Sequence, residues 1–174
     1  MKLIQTTTVG TATTAIEFTS IPQDGTDLML FLSGRAAATG DNLDAIIRFN
    51  DVTTGYNCKI LQGAGTSISS QSTSNGRIAT LPAASATANT FSSTRIDIPN
   101  YTSSRNKSYS ADNATERNTT SLAYLEITAG LWSNTSAITK ISFLIPTSVN
   151  FEVGSIISLY KITKGSDGIV TTSP

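Results

Sequence analysis

The stretch Ile138-Thr139-Lys140-Ile141-Ser142-Phe143-Leu144-Ile145-Pro146 decides the fold class. Ile141, Phe143 and Ile145 recur at every second position and fall on one face, with Lys140 and Ser142 on the other, which is the period of a half-buried strand. Ile96 and Ile98 alternate in the same way with Arg95 and Asp97. Toward the amino end, Ala15 to Ile21 sets Ile16 and Phe18 against Glu17 and Thr19, and Pro22, Asp24 and Gly25 supply a turn. Leu28, Met29, Leu30, Phe31 and Leu32 form an unbroken apolar run, which predicts a central strand buried on both faces. After a turn over Thr39, Gly40, Asp41 and Asn42, Ala45, Ile47 and Phe49 alternate with Ile46 and Arg48. Tyr56 to Leu61, Leu122 to Thr128 and Ser155 to Thr163 add further strands.

Composition agrees with strands. Ser and Thr make up roughly 30% of the chain, and with Asn and Gly they suit strands and turns but weaken helix interiors. Residues 63–88 and 100–120 are rich in Ser, Thr, Asn, Gly and Ala and read as long polar loops, each carrying one polar edge strand. Eight to ten short strands with long connections predict an all-β fold, a jelly-roll β-sandwich of two antiparallel sheets. At 174 residues the chain suits one such domain, placed over residues 1–163, followed by an exposed tail over 164–174 that Ile169 and Val170 could anchor to a neighbour.

Twelve basic and twelve acidic residues give no net charge, so no long-range field draws the protein to nucleic acid or an anionic membrane. Charged residues are 14% of the total, and a surface so weakly charged does little to repel a neighbouring copy. No apolar run approaches the ~20 residues of a membrane span, and Met1 to Thr8 lack the apolar core of a signal peptide. The expectation is a soluble protein made in a cytoplasm.

The single Cys58 and the absence of His exclude an internal disulfide, a Cys/His zinc site and Ser-His or Cys-His nucleophile pairs. The chain is therefore expected not to be an enzyme, with no catalytic, cofactor or metal-binding residues. A glycosidase needs only two carboxylates about 5 to 10 Å apart, and Asp44, Asp97, Glu126 and Glu152 are the acidic residues in or near strands. Each also reads as a solvated carboxylate on an outer strand face. Asp24-Gly25-Thr26-Asp27 and Gly40-Asp41-Asn42-Leu43-Asp44 gather oxygen ligands without the spacing of a calcium loop, and Gly63-Ala64-Gly65 is a bend. The Asn-X-Ser/Thr triplets at Asn100, Asn106, Asn113, Asn118 and Asn134 follow from composition. Tyr56, Tyr101, Tyr109, Tyr124 and Trp132 lie near polar loops, where they would either cap the sandwich or offer stacking platforms to a partner or glycan.

Three segments carry a resemblance. Phe151-Glu152-Val153-Gly154-Ser155-Ile156-Ile157-Ser158-Leu159-Tyr160-Lys161-Ile162 resembles a Phe-X-X-Gly-Ser-X-X-X-Leu-Tyr-X-Ile ending found in small phage virion structural proteins with jelly-roll domains, the capsid decoration (cement) and fibre-like proteins. Gly130 to Ile141 is similar to the segment before that ending, and Phe49-Asn50-Asp51, Tyr56 and Leu61 to Gly65 form the third match. Lys161 stands where the pattern has Gly. The resemblance covers about two thirds of the chain and describes a scaffold, which can host many functions. It implies a virion protein on the capsid surface, binding the major capsid protein as a homo-oligomer, a trimer over subunit junctions. The alternative it leaves is a tail fibre, spike or baseplate component that binds a host glycan through residues such as Trp132, Tyr101, Tyr109 and Tyr56. A glycosidase built on two of the four carboxylates is a third reading.

Overall fold

A computed structural model describes residues 1–40, 42–117 and 123–164. The first six strands are β1 (Lys2–Thr8), β2 (Ala15–Phe18), β3 (Asp27–Ser33), β4 (Asn42–Phe49), β5 (Tyr56–Ala64) and β6 (Ser67–Thr73). They are followed by β7 (Arg77–Pro82), β8 (Ser93–Ile98), β9 (Lys107–Thr115), β10 (Tyr124–Trp132), β11 (Ile141–Leu144) and β12 (Ile156–Ile162). A 3-10 turn at Pro146–Ser148 is the one helical element among the described residues.

The strands form two antiparallel sheets, an eight-stranded one in the order β1-β12-β3-β8-β9-β10-β5-β6 and a four-stranded one in the order β2-β11-β4-β7. The protein is all-β, with the layers of a sandwich. Four of the pairings are nested: β1 with β12, β2 with β11, β3 with β8 and β4 with β7. This is the arrangement of one long hairpin. Its wrapping brings β12 onto β3 and β11 onto β4, so consecutive limbs fall in opposite layers. Two local hairpins, β5-β6 and β9-β10, are inserted into this frame and widen the larger sheet by four strands.

Alternation decides which side chains enter the core. Leu28, Leu30 and Leu32 of β3, Ile96 and Ile98 of β8 and Ile157 and Leu159 of β12 face Ile16, Phe18, Ile47, Phe49, Ile141 and Phe143 of the smaller sheet, and all are buried. Side chains of this size each contribute about 1.5–3 kcal/mol when removed from water. The apolar run of β3 departs from expectation: Phe31 is exposed and Met29 half-buried, because among the described residues no layer covers the outer face of this sheet. Phe31 instead packs edge-on against Tyr160 of the neighbouring β12, with ring centroids 5.8 Å apart.

The two segments read as long loops also differ. Within 63–88, β6 is the polar edge strand anticipated, whereas β7 is buried at every position. Within 100–120, β9 lies inside the larger sheet between β8 and β10, with alternate residues buried. Apart from Tyr109 its inward positions are small, polar or charged, and toward Thr115 the hydrogen bonds of Asn113 and Thr115 replace the apolar contacts that would have marked it. Of the tail, Lys164 forms an ion pair with Asp27 at 3.3 Å, and 165–174 lie outside the described residues.

The segments that carry the resemblance hold corners. Gly154 has φ +92°, a conformation that strains any side-chain-bearing residue, and the buried Ser155 Oγ accepts from Arg35 N at 3.1 Å. Asn50 Oδ1 accepts from Thr139 N and Lys140 N at 2.9 and 3.1 Å while its amide donates to Ala137 O, which ties the β4–β5 turn to the entry of β11. Lys161 pairs with Asp24 across the end of the sheet.

Candidate functional site

Inward residues of β5, β9 and β10 form rows set by register. From one end these are Tyr56, Trp132 and Lys107; Cys58, Gly130 and Tyr109; Ile60, Thr128 and Ala111; and Gln62, Glu126 and Asn113. The rows pass from aromatic to polar, and each end forms a distinct cluster.

At the aromatic end, Trp132 stacks on Tyr56 at 6.3 Å and 22°, and Phe49 packs against Trp132 at 5.4 Å and Tyr109 at 5.7 Å. Tyr56 Oη accepts from Phe49 N at 2.7 Å, and the Arg48 guanidinium lies 5.1 Å from the centre of the Tyr56 ring. The Tyr109 ring crosses Gly130 so closely that a Cβ there would lie 2.1 Å from a ring carbon. Its hydroxyl meets the buried Cys58 Sγ at 3.1 Å. Burial pushes Tyr56 up to about 12, against the hydrogen bond from Phe49 and the charge of Arg48. Burial also raises Tyr109, with Cys58 adding to the shift.

The polar end centres on Glu126. Its Oε1 accepts from Arg77 Nη2, from Thr80 Oγ1 at 2.9 Å and from Gln62 Nε2 at 2.6 Å, and its Oε2 accepts from Thr80 N at 2.7 Å and Asn113 Nδ2 at 3.1 Å. Asn113 Oδ1 in turn accepts from Thr94 Oγ1 at 2.8 Å, and Thr115 donates to Thr80 O. Arg77 Nε stands 3.3 Å from Asp44 without hydrogen-bond alignment. Asp44 is raised, first by burial and further by Glu126, while Arg77 opposes the shift.

The structure thus brings Asp44 and Glu126 to one arginine, but it does not leave Glu126 free to act. Five donors occupy a carboxylate that offers about four lone-pair positions, and the group is buried, so the cluster clamps β7 onto the larger sheet. Asp97 pairs with Arg95 at 2.9 Å on the outer face, and the Glu152 backbone N–H is bound to Arg35 O. The carboxylates therefore occupy three separate places. The expectation that Glu126 is solvated is corrected by its inward row.

Tyr56, Tyr101, Tyr109 and Trp132 are only 0–3% exposed, which corrects their placement as contacts for a partner or glycan. Tyr101 closes the end of the sandwich: its hydroxyl donates to Pro22 O and accepts from Gly25 N at 3.2 Å. Tyr124 is half-buried. Of the triplets, Asn113 is buried and Asn118 lies outside the described residues.

Four buried cations, Arg35, Arg77, Lys107 and Arg117, escaped the sequence reading. Arg77 is described above. The Arg35 guanidinium donates to oxygens of 83–90, namely the carbonyls of Ala83, Ala86, Thr87 and Thr90 and the Thr90 hydroxyl. Lys107 donates to Ser103 O and Arg105 O, and burial lowers its pKa. A cation held by carbonyls has no acidic partner whose spacing in sequence could announce it.

The remaining feature lies outside. Leu61 pairs with Ile127, and Gly63 pairs with Leu125 on one side and Ile68 on the other. The four apolar side chains form one patch on the outer face of β10-β5-β6 and are 53–81% exposed. Toward the middle of the sheet the patch gives way to Asp112 and Arg95, which lie in the same row as Leu61 and Ile127. No family model and no curated protein matches this chain.

Proposed function

We propose that this chain is a phage capsid decoration protein that binds the outer surface of the head and stabilises the shell of major capsid protein. The observation that supports it most is the outer patch of Leu61, Ile68, Leu125 and Ile127 on β10-β5-β6. Contiguous exposed apolar side chains mark contact surfaces. The nested pairing supports reading the sandwich as a jelly roll, an architecture used in viral shells, and the sequence resemblance points the same way. The widening by β5-β6 and β9-β10 creates the patch, so the contact surface belongs to the four strands added to the nested frame.

Mechanically, each bound copy contributes interface free energy that exists only in the assembled shell, so binding opposes dissociation of the shell by linkage and no reaction is needed. The alternative of a glycan-binding fibre component drew on rings that are buried here, and no other observation favours it.

The test is addition of the purified chain to heads that lack it, with copy number read by mass and position by imaging. Many copies on the head surface are expected, together with slower shell dissociation. Leu125→Asp with Ile127→Asp should weaken binding at least about tenfold, the scale of one or two lost apolar contacts. A handful of copies at the tail, or unchanged binding by the double variant, overturns the proposal.

A further inference from the structure

The four sheet edges are protected unequally. β1 carries Lys2 and a register shift between Leu3 and Gln5. β2 is only four residues long and includes Glu17. β7 is buried throughout, is irregular opposite Ala45 and Ile46, and ends at Pro82. β6 has none of these devices. Its seven residues, Ser67-Ile68-Ser69-Ser70-Gln71-Ser72-Thr73, contain no charge and no proline, and they pair with β5 in unbroken register. The nearest cation, Lys59 of β5, is tied to Ser72 Oγ. Among the described residues no strand covers the other side of β6. A long, regular, uncharged edge is a template for another strand, and natural proteins ordinarily guard such edges with charge, proline, a bulge or shortness.

We propose that β6 pairs antiparallel with β6 of a second copy of this chain, about a two-fold axis at Ser70, joining two eight-stranded sheets into one. The occupant follows from self-complementarity. Full overlap of the seven residues sets Ser70 opposite its counterpart, Ile68 opposite Ser72 and Ser69 opposite Gln71, so outer-face positions meet outer-face positions. Hydroxyl and amide side chains then face one another across the seam, and such cross-strand pairs are favourable. Neither strand brings a charge to repel the other, and the chain as a whole carries no net charge. The seam also continues the outer patch, because Ile68, 81% exposed in one copy, is brought beside the neighbouring strand.

The contact closes at two copies. Pairing β6 with β1 of another copy would be head-to-tail and open-ended or ring-forming, and Lys2 and the irregularity at Leu3 oppose it. The proposal is independent of the virion reading, since it concerns the free chain in solution.

Sedimentation equilibrium of the full chain tests it. The native chain is expected at twice its 18.3 kDa mass. Ser70→Lys and Ser70→Glu, each placing like charges opposite one another, are each expected to sediment as monomers, and an equal mixture of the two should return to the doubled mass. A native monomer or trimer, or a Ser70→Lys dimer, overturns the proposal. Circular dichroism establishes that both variants fold. Independently, Ser70→Cys should give a disulfide-linked dimer under mild oxidation, because residues directly opposite in an antiparallel pair have Cα atoms about 4.5–5.5 Å apart, within disulfide reach. The buried Cys58 does not compete for oxidation. Failure of that cross-link also counts against the seam.

Discussion

β10 carries Trp132 at one end and Glu126 near the other, six residues apart on the same inward face, and the two ends are held by opposite physics. Around Trp132, large rings fill space and ring packing dominates. Around Glu126, five directed hydrogen bonds converge on one carboxylate. The aromatic end gains from removing area from water and tolerates small displacements. The polar end tolerates none, because its hydrogen bonds are directional and a shift of a fraction of a residue would leave Arg77 and Asn113 inside without their acceptor. One end gives the junction strength, and the other fixes its register.

Substitutions that separate these roles test the contrast. Glu126→Ala is expected to cost about 5 kcal/mol in denaturant unfolding, because Arg77, Thr80 N and Asn113 would lose their buried acceptor and only the part-exposed Asp44 would remain beside Arg77. If register is the main contribution, Arg77→Met combined with Glu126→Leu recovers most of that loss, and hydrogen exchange in β9 and β10 becomes faster even so. A double variant as unstable as Glu126→Ala would refute the division of labour. Trp132→Ala should cost about 4 kcal/mol, the usual range for a buried large aromatic, with loss of near-ultraviolet dichroism. Gly130→Ala comes next at about 3 kcal/mol, since the new methyl group meets the Tyr109 ring at 2.1 Å; a change under about 0.5 kcal/mol would show that the ring can move aside.

The smallest effect is that of alkali. Tyr56 and Tyr109 ionise in the unfolded chain near pH 10, while burial raises both in the folded protein, Tyr56 to about 12. The raised folded values mean that their contribution is complete below pH 10 and is lost as pH climbs toward 12. Solvent screening limits the Tyr56 part to on the order of 1–2 kcal/mol. Thermal unfolding from pH 8 to 12 should show the midpoint falling above pH 10, with a shallower fall in Tyr56→Phe.

The aromatic end was partly legible in the sequence. Phe49 lies in a run of strict alternation, and Trp132 invited a capping role, although its neighbouring tyrosines read as surface residues because polar loops adjoin them. Position relative to the second sheet, not nearby composition, decides their burial. The polar end was not legible. Ser108, Ser110 and Asp112 face out while Asn113 and Thr115 do not differ from them in kind, so β9 offers no amphipathic signal at that end. Glu126 and Arg77 are far apart in sequence, and only the pairing of β10 with β9 and the packing of β7 across the layers join them. The apolar run in β3 misled for a related reason: Met29 and Phe31 look outward on a face that no second layer covers among the described residues.

The nested pairings also have a consequence for how the chain is made. β1 finds its partner in β12, β2 in β11 and β3 in β8, so each early strand waits for a later one to leave the ribosome. The β5-β6 hairpin can form as soon as it emerges, but the outer limbs join residues as distant as Lys2 and Lys161. Such non-local pairing slows folding. A nascent chain that stops before β12 holds β1 without its partner, which gives synthesis a vulnerable interval that ends only when β12 arrives.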